Sequence, residues 1–311
     1  MNFLSPRDVL KQVAAALPAD IRGSIIIIGS LAAGYRYFRD DPESLVQTKD
    51  VDCMLSPHIK AVPVGRVVAE SLFRAQWRMR EGPDGWGQPG TAAMPAEKLP
   101  LVRLHPPGSS EWFIELMVSP PPEEEPGARG DPADPGKQYV RLETAQGHFS
   151  LCSFRYLALV EQEPIMTEFG IAIARPEMMA LANLLHHPDI GAETMGGLIA
   201  DREIERSNKD LGRVLALAFL AMREDEDALE AWPGAWKEAL QKCFPGEWAA
   251  LCARAGNGLR RLLESPDDME EARHCCAFGL LASFRLTQAQ LRLAGRRFMQ
   301  ETIEPVEAMA D

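Results

Sequence analysis

A run of four isoleucines that ends in glycine and serine is the feature that most constrains how this chain can fold. Ile25 to Ile28 is short, apolar and β-branched, which is typical of a buried strand. Gly29 and Ser30 follow the run and open a segment of helical character that reaches Phe38. The unpaired N–H groups and the positive end of the helix dipole coincide at such a helix start. The sequence therefore predicts a strand–turn–helix unit able to hold a phosphate group.

A second stretch, Asp50 to Leu55, alternates charged and apolar residues at its beginning. On a strand, Asp50 and Asp52 point to the same face, because successive side chains alternate between the two faces. Two carboxylates on one face repel each other unless a cation lies between them, and Mg²⁺ is the usual cation. A phosphate-binding turn together with such a pair indicates phosphoryl or nucleotidyl chemistry.

Composition and charge restrict the class of protein. The 311 residues suffice for one large domain or two modest ones with a sizeable core. A net charge of −12 argues against non-specific nucleic-acid binding over the whole surface, although a local basic cleft is compatible with it. Six cysteines without a CxxC pair favour packed thiols in a reducing compartment. Without a signal-peptide pattern or a long apolar stretch, we expect a cytoplasmic protein that does not enter a membrane.

The order of periodic segments predicts an α+β protein in two parts, a core over residues 1–152 and a mainly helical domain over residues 153–311. The expected strands are 25–28, 50–55, 99–105, 112–118 and 137–152, with a further strand-like patch at 170–174. The expected helices are 7–17, 30–38, 62–79, 177–185, 202–220, 227–243, 246–264, 268–284 and 287–308. Residues 119–136 are rich in Pro, Gly and Glu and are expected to form an exposed, largely disordered loop.

Two short motifs in this order resemble a known superfamily. Gly29-Ser30 after an apolar strand, followed by Asp50-Val51-Asp52 within another, is similar to the nucleotidyltransferases that include DNA polymerase β. Within that superfamily the chain most resembles small bacterial nucleotidyltransferases, including the toxin-like abortive-infection group. The resemblance implies a minimal α/β core with a mixed sheet, a helical C-terminal domain and a third carboxylate on a later strand. Glu115 is the candidate third carboxylate, and the alternative is an edge-strand glutamate that faces water.

The C-terminal half adds to this resemblance. A helix that begins with proline, then an arginine, then Lys-Asp at the start of the next helix is similar to the pattern of the toxin-like group, and Arg206, Lys209 and Asp210 match it. Asn183 stands where that group often carries a lysine. The gap between Ser30 and Asp50 is also longer than is usual in the superfamily, with a polar loop at residues 40–44.

The resemblance implies transfer of a nucleoside monophosphate from a nucleoside triphosphate to a hydroxyl of a protein, a tRNA or a small molecule. Asp50, Asp52 and Glu115 would bind Mg²⁺ or Mn²⁺. Gly29 and Ser30 would contact the phosphates. Lys209 or Arg206 would neutralise charge on the leaving pyrophosphate.

Two alternatives to an active enzyme are open. The chain could be a catalytically silent module with this fold that binds a nucleotide or a partner protein, for example in a toxin–antitoxin pair. It could also be an α/β protein whose carboxylates are incidental. Two clusters contain residue types that bind metals, namely His186-His187 and His274-Cys275-Cys276. Neither predicts a zinc site, because adjacent residues on a helix point about 100° apart. The tryptophans at positions 232, 236 and 248 are expected in the core of the helical part.

Overall fold

The computed structural model describes residues 2–39, 45–81, 87–121, 130–131 and 134–310. A mixed β-sheet occupies much of the first half and helices occupy most of the second half, so the α+β class is confirmed. The loop expected at residues 40–44, and residues 122–129 and 132–133 of the loop expected at 119–136, lie outside the described part. None of the helices within it is both long and apolar enough to cross a membrane.

The strands are short, apart from one hairpin. In chain order they are β1 (Asn2–Leu4), β2 (Ile25–Ile27), β3 (Val46–Thr48), β4 (Asp50–Leu55), β5 (Arg78–Met79), β6 (Arg103–His105), β7 (Phe113–Val118), β8 (Gly130–Asp131), β9 (Asp134–Thr144), β10 (Gly147–Phe154), β11 (Ile165–Met166) and β12 (Ala172–Ile173). The strand predictions at the isoleucine run and at Asp50 to Leu55 are confirmed. Residues 130–131 and 134–136 belong to strands, so the prediction of a loop is wrong for them, because pairing with the following hairpin overrides their composition.

The sheet places β4 and β7 at its centre. Its strand order is β11-β12-β2-β4-β7-β10-β9-β8, with β6 also paired to β7 and β5 paired to β6. β4 is parallel to β7 and antiparallel to β2. A central position requires apolar neighbours, and Val51, Cys53, Ile114 and Leu116 are fully buried. β12 pairs with β2 in parallel, so the sheet includes a strand from beyond residue 152, the predicted domain boundary.

The helices surround the sheet and fill the second half. They are α1 (Pro6–Ala15), α2 (Ala19–Arg22), α3 (Gly29–Phe38), α4 (His58–Arg74), α5 (Leu157–Val160), α6 (Pro176–His186), α7 (Arg206–Glu224), α8 (Trp232–Cys243), α9 (Trp248–Arg254), α10 (Asn257–Glu264), α11 (Pro266–Ala277), α12 (Gln288–Phe298) and α13 (Glu304–Ala308). α7 is the central helix of this half, with α6, α11 and α12 packed against it. The apolar face of α7 forms part of the core, since Leu211, Val214 and Leu215 are fully buried.

Two predicted helices are too long at their C-terminal ends. α4 stops at Arg74 because Gln76 adopts a left-handed conformation with φ of 67°, and the next residues pair with β6 instead. α11 stops at Ala277, four residues after Arg273, and the chain then turns through Phe278 and Gly279. A β-carbon on Gly279 would lie 2.7 Å from the carbonyl oxygen of Cys275, so only glycine fits this turn.

The tryptophan prediction is confirmed for two of the three residues. Trp232 and Trp236 are buried and pack with the ring of Phe298. Nε1 of Trp236 donates to the carbonyl oxygen of Glu177 at 3.0 Å, which satisfies its polar atom inside the core. Trp248 is half-buried against that core, with the Lys237 ammonium 5.6 Å from its ring centre.

Candidate active site

Three carboxylates lie in a row on one face of the central strands. Asp50 and Asp52 are both half-buried on β4, separated by the buried Val51. The parallel register pairs Asp52 with Glu115 and Asp50 with Phe113, so these four side chains share a face of the sheet. β7 has paired strands on both sides, so Glu115 is not the edge-strand residue of the alternative interpretation.

The start of α3 lies directly against the carboxylate of Asp52. Gly29 has a φ of +73°, a conformation that L side chains rarely adopt, and it is the first residue of the helix. A β-carbon on Gly29 would lie 3.1 Å from Oδ2 of Asp52. The backbone N–H of Ile28 donates to the carbonyl oxygen of Asp52 at 3.0 Å, which fixes the turn beside β4. The isoleucine run, the glycine and the aspartate pair are therefore brought together, as their order in the sequence predicts.

A cavity of about 400 Å³ opens in front of this row. Of the residues predicted for the site, Ser30, Asp50, Glu115 and Lys209 line it. Gly29 and Asp52 lie behind this first layer, next to each other. The walls come from the start of α3, the β3–β4 segment, β7, α7, the segment 195–199 and the turn after α11.

The pKa values of the two aspartates are shifted in opposite directions because their surroundings differ. Burial alone would raise the pKa of Asp50, but the Lys209 ammonium, a hydrogen bond from Thr48 and the Arg213 guanidinium hold it below the ordinary value. Thr48 Oγ1 donates to Oδ1 of Asp50 at 2.8 Å. Burial raises the pKa of Asp52, and the neighbouring carboxylates of Asp50 and Glu115 raise it further. The nearby cations therefore do not offset the negative charge of the carboxylates around Asp52.

Glu115 is held by an arginine. Its Oε2 accepts a hydrogen bond from Nε of Arg103, and the two side chains are 12% and 17% exposed, so the ion pair is largely buried. Sγ of Cys152 lies 3.7 Å from the other carboxylate oxygen, Oε1. Arg103 lies opposite Glu115 on the antiparallel neighbour β6, which explains the pairing.

Sequence reasoning missed Arg213, which also lines the cavity. It stands one helical turn after Lys209 on α7, so both cations project from the same side of that helix. Nη1 of Arg213 lies 3.6 Å from Oδ1 of Asp210, and Oδ2 of Asp210 lies 3.0 Å from Nε2 of His187. Burial alone would raise the pKa of Asp210, but the bond from His187 and the charges of Arg213 and Lys209 hold it well below the ordinary value. The i, i+4 spacing from Lys209 was the signal that could have identified Arg213.

Further cations and an aromatic ring of the cavity lining were also missed. Lys49, Arg80 and Arg103 line the cavity together with Phe113. The guanidinium of Arg80 lies 4.3 Å from the ring centre of Phe113. Lys49 lies directly before Asp50 in the sequence, but no local motif marks Arg80, Arg103 or Phe113, because β5, β6 and β7 bring them together from separate parts of the sequence.

Two residues singled out in the sequence lie away from the cavity lining. Nη1 of Arg206 lies 3.3 Å from Oε1 of Glu193, and this pair is exposed to solvent. Nδ2 of Asn183 donates to the carbonyl oxygen of Met179 at 2.9 Å within α6. A nucleotide-binding role stays a prediction for both Arg206 and Lys209, and of the two only Lys209 lines the cavity.

The cluster of His274, Cys275 and Cys276 has a structural explanation. Nε2 of His274 lies 2.8 Å from the carbonyl oxygen of Ile199, and the ring is buried. Both cysteines line the cavity, but burial raises the pKa of Cys275 to about 12, so its thiol stays protonated at neutral pH. Neither observation indicates a metal centre or a nucleophile at this position.

Asp50 and Asp52 could hold a divalent cation, and a metal-binding role for Glu115, which pairs with Asp52 across the strands, stays a prediction. As the side chains stand, no three His, Cys, Asp or Glu residues within the described part converge to hold a metal ion. Mg²⁺ needs fewer protein ligands than that, since it is usually bound through one or two carboxylates plus substrate phosphates and water. The raised pKa of Asp52 fits such an ion, because a cation between Asp50 and Asp52 would relieve their repulsion.

A comparison of the chain with models of known protein families, with curated proteins and with solved structures finds no match.

Proposed function

We propose that this protein is a metal-dependent nucleotidyltransferase that moves a nucleoside monophosphate from a nucleoside triphosphate to a hydroxyl group. One observation carries the proposal. Ser30 at the start of α3, Asp50 and two cations of α7 line one cavity, and Gly29 and Asp52, which are close to Ser30 and Asp50 in the sequence, lie next to each other. Each of these groups matches a part of a triphosphate bound through a divalent cation.

The chain's own residues would divide the work as follows. Backbone N–H groups at the start of α3 and the Ser30 hydroxyl would donate to phosphate oxygens. Asp50 and Asp52 would hold Mg²⁺ or Mn²⁺, which when bound polarises the phosphoryl group and lowers the pKa of the attacking hydroxyl. Lys209 and Arg213 would neutralise the charge that develops on the leaving pyrophosphate. Asp210 would keep the Arg213 guanidinium directed at the cavity.

Glu115 supports a second candidate function. The resemblance implies that Glu115 would bind metal together with the two aspartates, but its carboxylate is bound by Arg103. A site in which this ion pair is permanent would bind a nucleotide without transferring it. A silent nucleotide-binding module, such as one member of a toxin–antitoxin pair, is therefore the alternative.

The acceptor in this proposal is a hydroxyl of a protein, a tRNA or a small molecule. The net charge of −12 favours a protein or a small molecule over a large nucleic acid, because an acidic surface repels the phosphate backbone.

The test is transfer of label from each nucleoside triphosphate radiolabelled at the α-phosphate, in a cell extract with MgCl₂ or MnCl₂. The wild type is compared with Asp50→Ala/Asp52→Ala and with Asp20→Ala, an exposed aspartate of α2 that serves as a matched control. We expect labelled acceptor with the wild type and the control, and none with the double variant. Equal labelling by the double variant would contradict the proposed site. Metal-dependent binding without transfer would support the silent module.

A further inference from the structure

The cavity has two chemically different walls. One part of the lining comes from β4, β7 and α7 with Lys49, Arg80 and Arg103, and it contains the carboxylates of Asp50 and Glu115 and all five cations among the described residues of the lining. Another side consists of residues 195–199 (Met-Gly-Gly-Leu-Ile) and Phe278, and none of these residues has a charged or hydrogen-bonding side chain. We call this second surface the apolar wall. A triphosphate is suited to the first side and an apolar, planar group is suited to the second.

The side chain of Phe278 is partly exposed to solvent and rests against the buried ring of His274. Its side chain is 39% exposed, whereas most aromatic rings of the described chain are buried or packed into the core. The ring of His274 lies 4.6 Å behind it, centre to centre, and the two planes are tilted by 44°. His274 also bonds the carbonyl oxygen of Ile199 through Nε2. One buried histidine therefore fixes both Phe278 and the segment 195–199, so the apolar wall is formed before any ligand arrives.

The segment 195–199 is itself tied down by backbone hydrogen bonds. The N–H of Met195 donates to the carbonyl oxygen of Ile204, and the N–H of Ile199 donates to that of Arg202, both at 2.9 Å. A β-carbon on Gly196 or Gly197 would meet no atom within 4 Å. The two glycines therefore leave open space beside the backbone, and Leu198, next to them, is 57% exposed. Exposed apolar side chains grouped around open space in a cavity indicate a ligand surface.

We infer that the apolar wall is the seat of the nucleobase, with the base stacked on Phe278 and covered by Leu198. This inference rests on the proposed function, because it assigns the remaining part of the same nucleotide. The base of a nucleoside triphosphate is flat and apolar on its faces, and stacking on an aromatic side chain holds any of the four bases. The triphosphate would then extend toward Lys209, Arg213 and the start of α3.

The apolar wall also determines the type of selectivity. Its described residues offer only backbone groups to the hydrogen-bonding edge of a base. A site that lacks hydrogen-bonding side chains discriminates weakly between bases of similar shape. We therefore expect ATP and GTP to bind within about tenfold of each other, and both purines to bind more tightly than UTP and CTP because their stacking surface is larger.

The experiment compares ATP with inorganic tripolyphosphate, which carries the phosphates but no base. Dissociation constants are measured by calorimetry in MgCl₂ for the wild type, Phe278→Leu and Phe278→Trp. Leucine preserves apolar volume and removes the aromatic face, whereas tryptophan preserves the face. Phe3→Leu is the matched control, since Phe3 is 58% exposed on β1 and does not line the cavity. The thermal midpoint of each variant verifies that it is folded.

We expect Phe278→Leu to weaken ATP binding about tenfold and to leave tripolyphosphate binding unchanged. Phe278→Trp and Phe3→Leu should bind both ligands like the wild type. If Phe278→Leu weakens the binding of both ligands equally or of neither, the proposed base-binding site is wrong, whereas the proposed phosphate-binding site is not contradicted. If the wild type binds neither ligand, the proposed function itself fails.

Discussion

Gly29 and Asp52 stand in contact, because a β-carbon on the glycine would lie 3.1 Å from Oδ2 of the aspartate. Gly29 also has a φ of +73°. An L residue in this conformation costs about 1–2 kcal/mol, and its methyl group would displace the carboxylate. Gly29→Ala should therefore lower the free energy of unfolding in urea by about 1–2 kcal/mol and reduce transfer activity. Gly23→Ala is the control, since its φ is −65° and a β-carbon there meets nothing within 4 Å. Equal stability of the two variants would contradict this account.

Replacing each aspartate by asparagine should change stability in opposite directions. Burial and the neighbouring carboxylates disfavour the charge of Asp52, whereas Lys209 and Arg213 stabilise that of Asp50. In EDTA at pH 7, Asp52→Asn should raise the free energy of unfolding by about 1 kcal/mol or more, because one pKa unit corresponds to about 1.4 kcal/mol. Asp50→Asn should lower it. Added MgCl₂ should stabilise the wild type and neither variant. A fall in stability with Asp52→Asn would show that the two carboxylates do not repel each other.

The stability of the metal-free protein should carry the pH signature of Asp52. Its pKa is raised in the folded state, so above the ordinary aspartate value of about 3.9 the folded protein binds a proton that the unfolded chain has released. This contribution to stability is fully present below pH 4 and is lost as the pH rises toward the raised pKa. The difference in unfolding free energy between the wild type and Asp52→Asn, measured by urea titration from pH 4 to 9, isolates it from other groups. A constant difference across that range would rule out the raised pKa.

Lys209 and Arg206 lie three residues apart on α7 but should differ in function. Lys209 lines the cavity and acts on both aspartates, whereas Arg206 pairs with Glu193 at the surface. Lys209→Met should lower kcat/KM for the nucleotide by about 100-fold, the effect of removing one group that stabilises a developing anion. Arg206→Met should change kcat/KM by less than about threefold, since an exposed ion pair contributes little. Comparable losses in the two variants would restore Arg206 to the site.

Variants of the ion pair between Glu115 and Arg103 test whether the protein is an active enzyme or a silent module. Removing one partner of a buried pair leaves an uncompensated charge, so Glu115→Gln should cost about 3 kcal/mol of unfolding free energy. Glu115→Gln combined with Arg103→Met should recover most of that loss. If Glu115 takes part in transfer, the double variant stays inactive although it is stable. Recovery of activity together with stability would assign Glu115 a structural role only.

The parts of the fold that sequence reasoning predicted are those with strong local signals. The isoleucine run, the alternation at Asp50 to Leu55 and the proline that begins α6 each specify an element by themselves. The positions of helix ends were harder to predict, because the stop of α4 depends on the left-handed conformation of Gln76. Composition failed at residues 134–136, where pairing with a neighbouring strand outweighs Pro and Gly.

The residues of the candidate site also fall into those with a local sequence signal and those without one. Asp50, Asp52 and Gly29 are close in sequence and were predicted together, because a strand's alternation and a turn's glycine are local properties. Arg103 and Phe278 reach the cavity only through pairing of β6 with β7 and through the turn after α11. No spacing in the sequence encodes those contacts, since each depends on the packing of elements that are distant along the chain.

The strand β12 and the helix α7 both come from the second half of the chain, yet one extends the sheet beside β2 and the other carries Lys209 and Arg213. During synthesis the carboxylate row therefore emerges long before Lys209 and Arg213 do, since a chain folds from its N-terminus as it is made. A fragment that ends at residue 152 would have the carboxylates, Lys49, Arg80, Arg103 and an uncovered edge at β2, without the two cations of α7. The phosphate binding proposed for this cavity would thus be acquired late, when the second half of the chain docks on the first.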